Sequence, residues 1–371
     1  MRKFRYVMIG GFLGAGKTAA SIKLAEHLDS RGLRAGLITN DQSVNLVDTA
    51  RVRAAGFPVQ EITGGCFCCK FNTLVEASRQ LTRSAAPDVL IAEPVGSCTD
   101  LMATVGYPLR QLYGDDYDLS PLSVLVDPIR CARILGIADG RNFSEKVLYV
   151  YRKQLEEAEL LVINKVDLLT AADRRALADA VKKQFPRARV FEVSCRTGEG
   201  LADWFGCLLA DQLGRRPAMD VDYDLYALGE ALLGWLNATA HVKASLPFDG
   251  NQWLLALASN LRGQLNNAGI EIAHLKMTLV PDEGPDLAAV SLTNTAADSQ
   301  LTHALRAPLA DGLLTVNLRA EADPEILDRQ VRHSLAGSSP VAAVLDSISA
   351  FRPGRPNPTH RMATAGETRV G

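Results

Sequence analysis

Short runs of consecutive apolar residues alternate with longer stretches of mixed polarity through the first two hundred positions. Residues 4–10, 33–39, 88–94, 122–128, 158–165 and 188–194 read as buried strands, because their apolar positions run on without a break. Between them, residues 17–31, 70–85, 129–138, 143–157, 171–185 and 199–213 read as helices. Strands alternating with helices build βαβ units, which predict an α/β fold with a mostly parallel sheet covered on both faces. Ligands of such sheets bind at the carboxyl ends of the strands.

The rhythm changes at residues 214–224, GRRPAMDVDYD, where glycine, proline and mixed charge mark a boundary. Over 225–238, Leu225, Leu228, Leu232 and Leu236 share one helical face. Residues 241–246 alternate like a strand, and Leu254, Leu257, Leu261 and Leu265 set a helix over 250–267. Strands are expected at 270–280, 287–293 and 313–320, then a helix at 324–335. The expected organisation is an α/β domain over 1–214 and a smaller α+β domain of ferredoxin-like type over 224–350. A basic, proline-rich tail follows at 351–371, expected to be flexible. No internal repeat is visible.

Composition narrows the function. Forty basic and forty-two acidic residues among 371 leave a formal charge of −2, which offers no footprint for nucleic acid or an anionic membrane. No window approaches eighteen unbroken apolar residues. The basic and apolar N-terminus ends in Gly16-Lys17-Thr18 rather than a cleavage site, so a cytoplasmic protein is expected. Seven cysteines, three of them within four positions, suit a reducing compartment and a thiolate site better than a disulfide framework.

The segment Gly11-Phe12-Leu13-Gly14-Ala15-Gly16-Lys17-Thr18 has the P-loop pattern, between an expected strand and an expected helix. Glycines let backbone N–H groups turn in around phosphate oxygens, and the helix N-terminus adds its dipole. Lys17 supplies charge to the β and γ phosphates and Thr18 a hydroxyl to Mg²⁺; Ala19 is assigned with them to nucleotide binding. Asn164-Lys165-Val166-Asp167 ends a later strand. A carboxylate there accepts both the ring N–H and the exocyclic amine of guanine, whereas adenine would leave it unpaired. Ser194 and Cys195 open Ser194-Cys195-Arg196-Thr197-Gly198 at the next strand end, where backbone N–H groups meet the guanine carbonyl. In this order the three elements specify GTP, hydrolysed to GDP. Glu93, in Glu93-Pro94-Val95-Gly96, ends a strand like a Walker-B carboxylate, and Asp41 ends another where a switch would begin; both are assigned to Mg²⁺. For Asp127 a helix N-cap is as good a reading as a functional one.

Gly64-Gly65-Cys66-Phe67-Cys68-Cys69 is the other informative stretch. Three thiolates in four residues can face one soft ion such as Zn²⁺. Three protein ligands leave a fourth position open, which suits a transferable ion. A structural cysteine cluster in a checkpoint GTPase and a redox-responsive switch remain alternative readings. Cys98, Cys131, Cys195 and Cys207 stand alone and are read as buried small residues. No general base or arginine finger stands out.

The loop ending in Thr18, the Gly-Cys-x-Cys-Cys box at 65–69, Glu93-x-x-Gly96 and Asn164-Lys165-x-Asp167 together resemble the CobW-like family of metal-chaperone GTPases, relatives of UreG and HypB. The resemblance covers roughly residues 4–213. It implies a SIMIBI-class GTPase that delivers Zn²⁺ or Co²⁺ to a client metalloprotein or to cobalamin synthesis, with nucleotide-linked homodimerisation. Two departures stand out. Asn40-Asp41-Gln42-Ser43 replaces the family's usual Asn-Glu-aromatic-Gly, and the six scattered histidines form no metal-storage tract.

Overall fold

The structure is a computed structural model describing residues 3–40, 47–214, 216–284, 286–296, 298–338 and 341–364. It divides into two units: residues 1–227 with 355–371, and residues 228–354.

In the first unit the chain runs β1 (Phe4–Gly11), α1 (Lys17–Asp29), β2 (Ala35–Asn40), α2 (Val47–Ala54), β3 (Val59–Ile62), α3 (Phe71–Ala85) and β4 (Val89–Glu93). A π-helical turn at Met102–Gly106 leads into α4 (Tyr107–Tyr113). Then come β5 (Tyr117–Leu119), β6 (Ser123–Val126), α5 (Pro128–Ile134), α6 (Glu145–Glu157), β7 (Leu160–Ile163), α7 (Ala171–Gln184), β8 (Arg189–Glu192) and α8 (Leu201–Ala210). The strands pair in parallel in the order β3-β2-β4-β1-β6-β7-β8, with β5 also on β1.

All five residues of β4 and all four of β6 and of β7 are buried, as unbroken apolar runs under helices on both faces require. The helices bury one stripe each: Phe71, Leu74, Val75, Ser78 and Leu81 on α3, and Val147, Leu148, Tyr151 and Leu155 on α6. α5 starts where its sequence dictates, with Asp127 capping the N–H of Arg130 and Pro128 at the first turn. Asp127 is therefore an N-cap.

α9 (Tyr223–Leu232) carries the chain across the division at 227/228. The second unit holds β9 (Leu233–Phe248), α10 (Gly250–Asn267), β10 (Ile272–Pro281), β11 (Ala288–Leu292), β12 (Gln300–His303), β13 (Leu309–Glu321), α11 (Pro324–Ala336) and β14 (Ala342–Phe351). Its sheet is antiparallel, ordered β12-β11-β10-β13-β9-β14. Without β11 and β12, this is the interleaved βαββαβ order of a ferredoxin-like domain, with the extra hairpin beyond β10.

The expected helix over 225–238 is corrected: it ends at Leu232, and residues 233–238 open a long strand. Trp235 packs there against the buried Arg319 guanidinium, 4.1 Å from the ring centroid. The expected boundaries move as well. The first unit extends to Ala227, and residues 355–364 return to it instead of forming a free tail.

Candidate functional site

Every chemistry-bearing motif lies at the carboxyl edge of the parallel sheet. At its centre, the loop after β1 turns directly into α1. Gly16 sits at φ 95°, and a Cβ there would lie 2.4 Å from Asn164 Nδ2, so no other residue fits. Lys17 is buried and folds back over the loop, donating to Gly11 O at 2.9 Å and Phe12 O at 3.5 Å. The buried Thr18 hydroxyl donates to Glu93 Oε1 at 2.8 Å. β1 and β4 are neighbours, so the first helical turn and the strand end meet. A hydroxyl and a carboxylate in contact are the hard oxygen donors Mg²⁺ prefers, and this pair fits that ion. Gly96 is the glycine of Glu93-x-x-Gly96 for a steric reason: a Cβ would lie 2.7 Å from Leu13 Cδ2 and 3.0 Å from Leu13 N. Asp41 lies outside the described residues.

Side chains from the far half of the sheet brace this loop. Asn164 donates to Ala15 O at 2.9 Å, while its oxygen accepts from the N–H of Lys165 at 2.8 Å and of Cys195 at 3.1 Å. Lys165 donates to Gly14 O and to Asp127 Oδ2, both at 2.8 Å. Burial alone would raise the Asp127 carboxyl, but the Lys165 ammonium and Arg130 guanidinium hold it below the usual carboxylate range. Arg130 also donates to Leu13 O at 2.6 Å and lies over the Phe12 and Phe143 rings. Asn164, assigned from sequence to guanine selection, thus spends its amide joining the phosphate loop to the loop after β8. Asp167 accepts from Ser194 Oγ at 2.5 Å and pairs with Arg196; Ser194 Oγ accepts from the N–H of Thr197 at 3.1 Å. The Cys195 thiol is pushed up to about 12 by burial, so its contribution here is its backbone N–H.

At the sheet's β3 end, Cys66, Cys68 and Cys69 occupy the turn between β3 and α3. Their sulfurs lie 2.8 Å (Cys66–Cys68), 3.1 Å (Cys66–Cys69) and 3.8 Å (Cys68–Cys69) apart. They form the one metal-type cluster of three or more among the described residues. Contacts with the Cys68, Cys69 and Cys98 sulfurs hold Cys66 well below a free thiol. Their bonds to Cys66 push Cys68 up, and Cys69 up to about 11. One thiolate served by neighbouring thiols is a soft donor set, of the kind that holds a transition-metal ion.

Two features escaped sequence reading. Cys98 is not isolated, since its thiol bonds to Cys66; only the chain's return from β4 brings it there. Asn40, ending β2, donates to Ile62 O at 3.0 Å and Gly65 O at 2.7 Å, tying the strand before position 41 to the cysteine turn.

Comparison with known proteins follows the same geography. The chain is 31% identical over 178 residues to the zinc chaperone YeiR of Escherichia coli (strain K12), covering 46% of this chain and 49% of that protein. It is 27% identical over 227 residues to the zinc chaperone CobW of a Sinorhizobium species, covering 53% and 60%. The chain therefore spans about half the length of these curated relatives. Among solved structures, HypB from Helicobacter pylori in complex with nickel matches with 21% identity and TM-score 0.41, over 56% of this chain and 86% of that one. The model of the CobW/HypB/UreG nucleotide-binding domain matches residues 5–192, more than half of the 371. By that match the chain belongs to the CobW/HypB/UreG family.

Proposed function

We propose that the protein is a Mg²⁺-dependent GTPase that couples GTP binding and hydrolysis to holding and handing over a transition metal, Zn²⁺ or Co²⁺. The observation that carries this reading is the presence, on one edge of one sheet, of a phosphate loop with its Thr18–Glu93 pair and a trio of sulfurs within 3.8 Å of one another. YeiR and CobW, both named zinc chaperones, support the class of cargo.

In this reading Lys17 and the loop N–H groups meet the β and γ phosphates, where charge builds as the terminal bond breaks. Lys17 exchanges its carbonyl partners for phosphate oxygens. Thr18 and Glu93 would hold Mg²⁺, which when bound would supply positive charge to offset that of the phosphates. Asp41 is assigned to the same ion. Asp167 accepts the two N–H edges of guanine, its carboxylate oriented by Ser194, and in the loop at 194–198 the N–H of Arg196 takes the guanine carbonyl, those of Ser194, Cys195, Thr197 and Gly198 being bonded within the protein. Cys66, Cys68 and Cys69 hold the cargo, and a client metalloprotein supplies the fourth donor at transfer. A nucleotide-dependent homodimer in the cytoplasm completes the proposal. No described helix is long and apolar enough to cross a membrane.

The test is competition for Zn²⁺ between the protein and a chromophoric chelator, with GDP and with a non-hydrolysable GTP analogue. Linkage requires the two affinities to differ, and nucleotide affinity to change by the same factor on metal binding. Equal metal affinity in both states overturns coupled delivery. Replacing Cys66, Cys68 and Cys69 together by serine is expected to remove the bound metal found by elemental analysis. Retention of it would move the cargo site elsewhere.

A further inference from the structure

Residues 355–363 lie along the cysteine turn in a register set by their prolines. Pro356 and Pro358 have no N–H to offer, so the donors on this stretch alternate: Asn357 and Thr359. Both are used on the cysteines. The N–H of Asn357 donates to Cys69 Sγ at 3.2 Å, and that of Thr359 to Cys68 O at 2.9 Å. The Thr359 hydroxyl adds a bond to Cys69 O at 3.2 Å. His360 sets its ring edge-on against Phe71, 4.9 Å between centroids, at the first residue of α3.

Beyond this contact the segment is fastened. Arg361 Nε donates to Asp100 Oδ2 at 2.7 Å, and Arg361 Nη2 to Met219 O at 2.9 Å. Asp100 is almost wholly buried, and Tyr223 donates to the same carboxylate oxygen at 2.8 Å. The N–H of Met362 bonds to Ala103 O in the π-helical turn. Asp100 stands seven residues after Glu93, on the same loop between β4 and that turn. The segment therefore touches both the thiols and the loop that starts at the Thr18–Glu93 pair.

We propose that residues 355–361 are the gate of the metal site: the main-chain donors of Asn357 and Thr359 close over the cysteines, and Arg361 latches the segment to Asp100. This rests on the cargo reading of Cys66, Cys68 and Cys69. An N–H bond to a metal-bound thiolate tunes the sulfur as a ligand, as outer-shell partners of metal sites do. The closed position is inexpensive to reach, because two prolines in the segment restrict the unfolded alternatives. It is also reversible. The grip on the cysteine turn consists of three hydrogen bonds and a ring contact, and Asn357 and Thr359 are themselves exposed. Of the segment's two charge pairs, Arg355–Asp224 joins two exposed side chains whereas Arg361 meets the buried Asp100, so the pair to Asp100 is the strongest hold on the segment and the natural point of release.

Co²⁺ added to the 371-residue chain reports both parts through its sulfur-to-metal charge-transfer absorption. Asn357→Pro removes the N–H aimed at Cys69 and is expected to shift that band to lower energy. Asn357→Ala keeps the N–H and should leave the band in place. Arg361→Ala should release Co²⁺ to excess chelator about tenfold faster than wild type, with Arg361→Lys restoring much of the retention. Identical bands in the two Asn357 variants, which change only an exposed position, would overturn the closure. Wild-type release from Arg361→Ala would overturn the latch. A wild-type chain that takes up no Co²⁺ overturns the cargo reading itself, and is distinguished from the other failures because no band forms at all.

Discussion

The two ends of one sheet edge are built to different standards of rigidity. The phosphate loop is braced from the α5 N-cap, α5 and the turn after β7, by the buried Asp127, Arg130 and Asn164 and the half-buried Lys165, each meeting loop backbone or one another. The cysteine turn is held by two bonds from the buried Asn40 side chain of β2 and by three from exposed residues of a segment 288 positions away in sequence, two of them donated by that segment's main chain. An anion with several phosphate charges rewards a cradle formed in advance, because preorganised dipoles cost no rearrangement when charge develops. A soft cation that must arrive and leave is served better by a wall that can lift. Family membership is shared by the whole domain, but the physical chemistry of its two sites is not.

Perturbations should separate the ends. The largest effect is expected from Lys17→Ala, which lowers GTP hydrolysis by about 10²–10³-fold in a phosphate-release assay. Asp167→Asn replaces an acceptor with a donor facing the guanine N–H groups. Affinity for GTP should fall at least about a hundredfold, measured by titration with a fluorescent guanine nucleotide. Asn164→Ala strands Ala15 O and the Cys195 N–H in a buried place, at a cost of about 2–4 kcal/mol read from denaturant midpoints. Because that brace belongs to the nucleotide end, Co²⁺ release should stay at the wild-type rate. If release changes as well, the ends are mechanically one site.

The smallest effect concerns Glu157, whose carboxylate accepts from Thr99 Oγ1 and the N–H of Met102 beside the latch. Burial, then the Asp100 charge, raises its pKa well above the usual range. The folded chain therefore holds a proton that the unfolded chain gives up, and stability declines as pH rises above about 4.3. Glu157→Gln should flatten that decline in urea midpoints measured from pH 5 to 8. An unchanged slope would show that the group ionises in the folded state.

How much of this was legible in the sequence depended on where the partners lie. The phosphate loop, Glu93, Asp167 and the cysteine trio announce themselves because their residue types are demanded at fixed local spacing. Asn164 is legible as part of Asn164-Lys165-x-Asp167, but its bonds to Ala15 and Cys195 are long-range and no local pattern encodes them. Leu232 and Leu236 continue a helical spacing into what is strand, because the first four residues of β9 are buried on both faces and lose the alternation that marks a strand. Cys98 reads as an isolated buried residue and 351–371 as a flexible tail for a shared reason. Their meaning is a long-range contact, and a run of prolines and arginines carries the same composition whether it hangs free or is tied down.

The distance in sequence between Cys69 and Asn357 has a consequence for biogenesis. At about 5–20 residues per second, a ribosome needs roughly 15–60 s to add the 288 positions between them. Throughout that interval the nascent chain presents its thiols without their covering strip. In the proposed reading of these thiols as a cargo site, an ion captured then would be enclosed once Arg361 is in place.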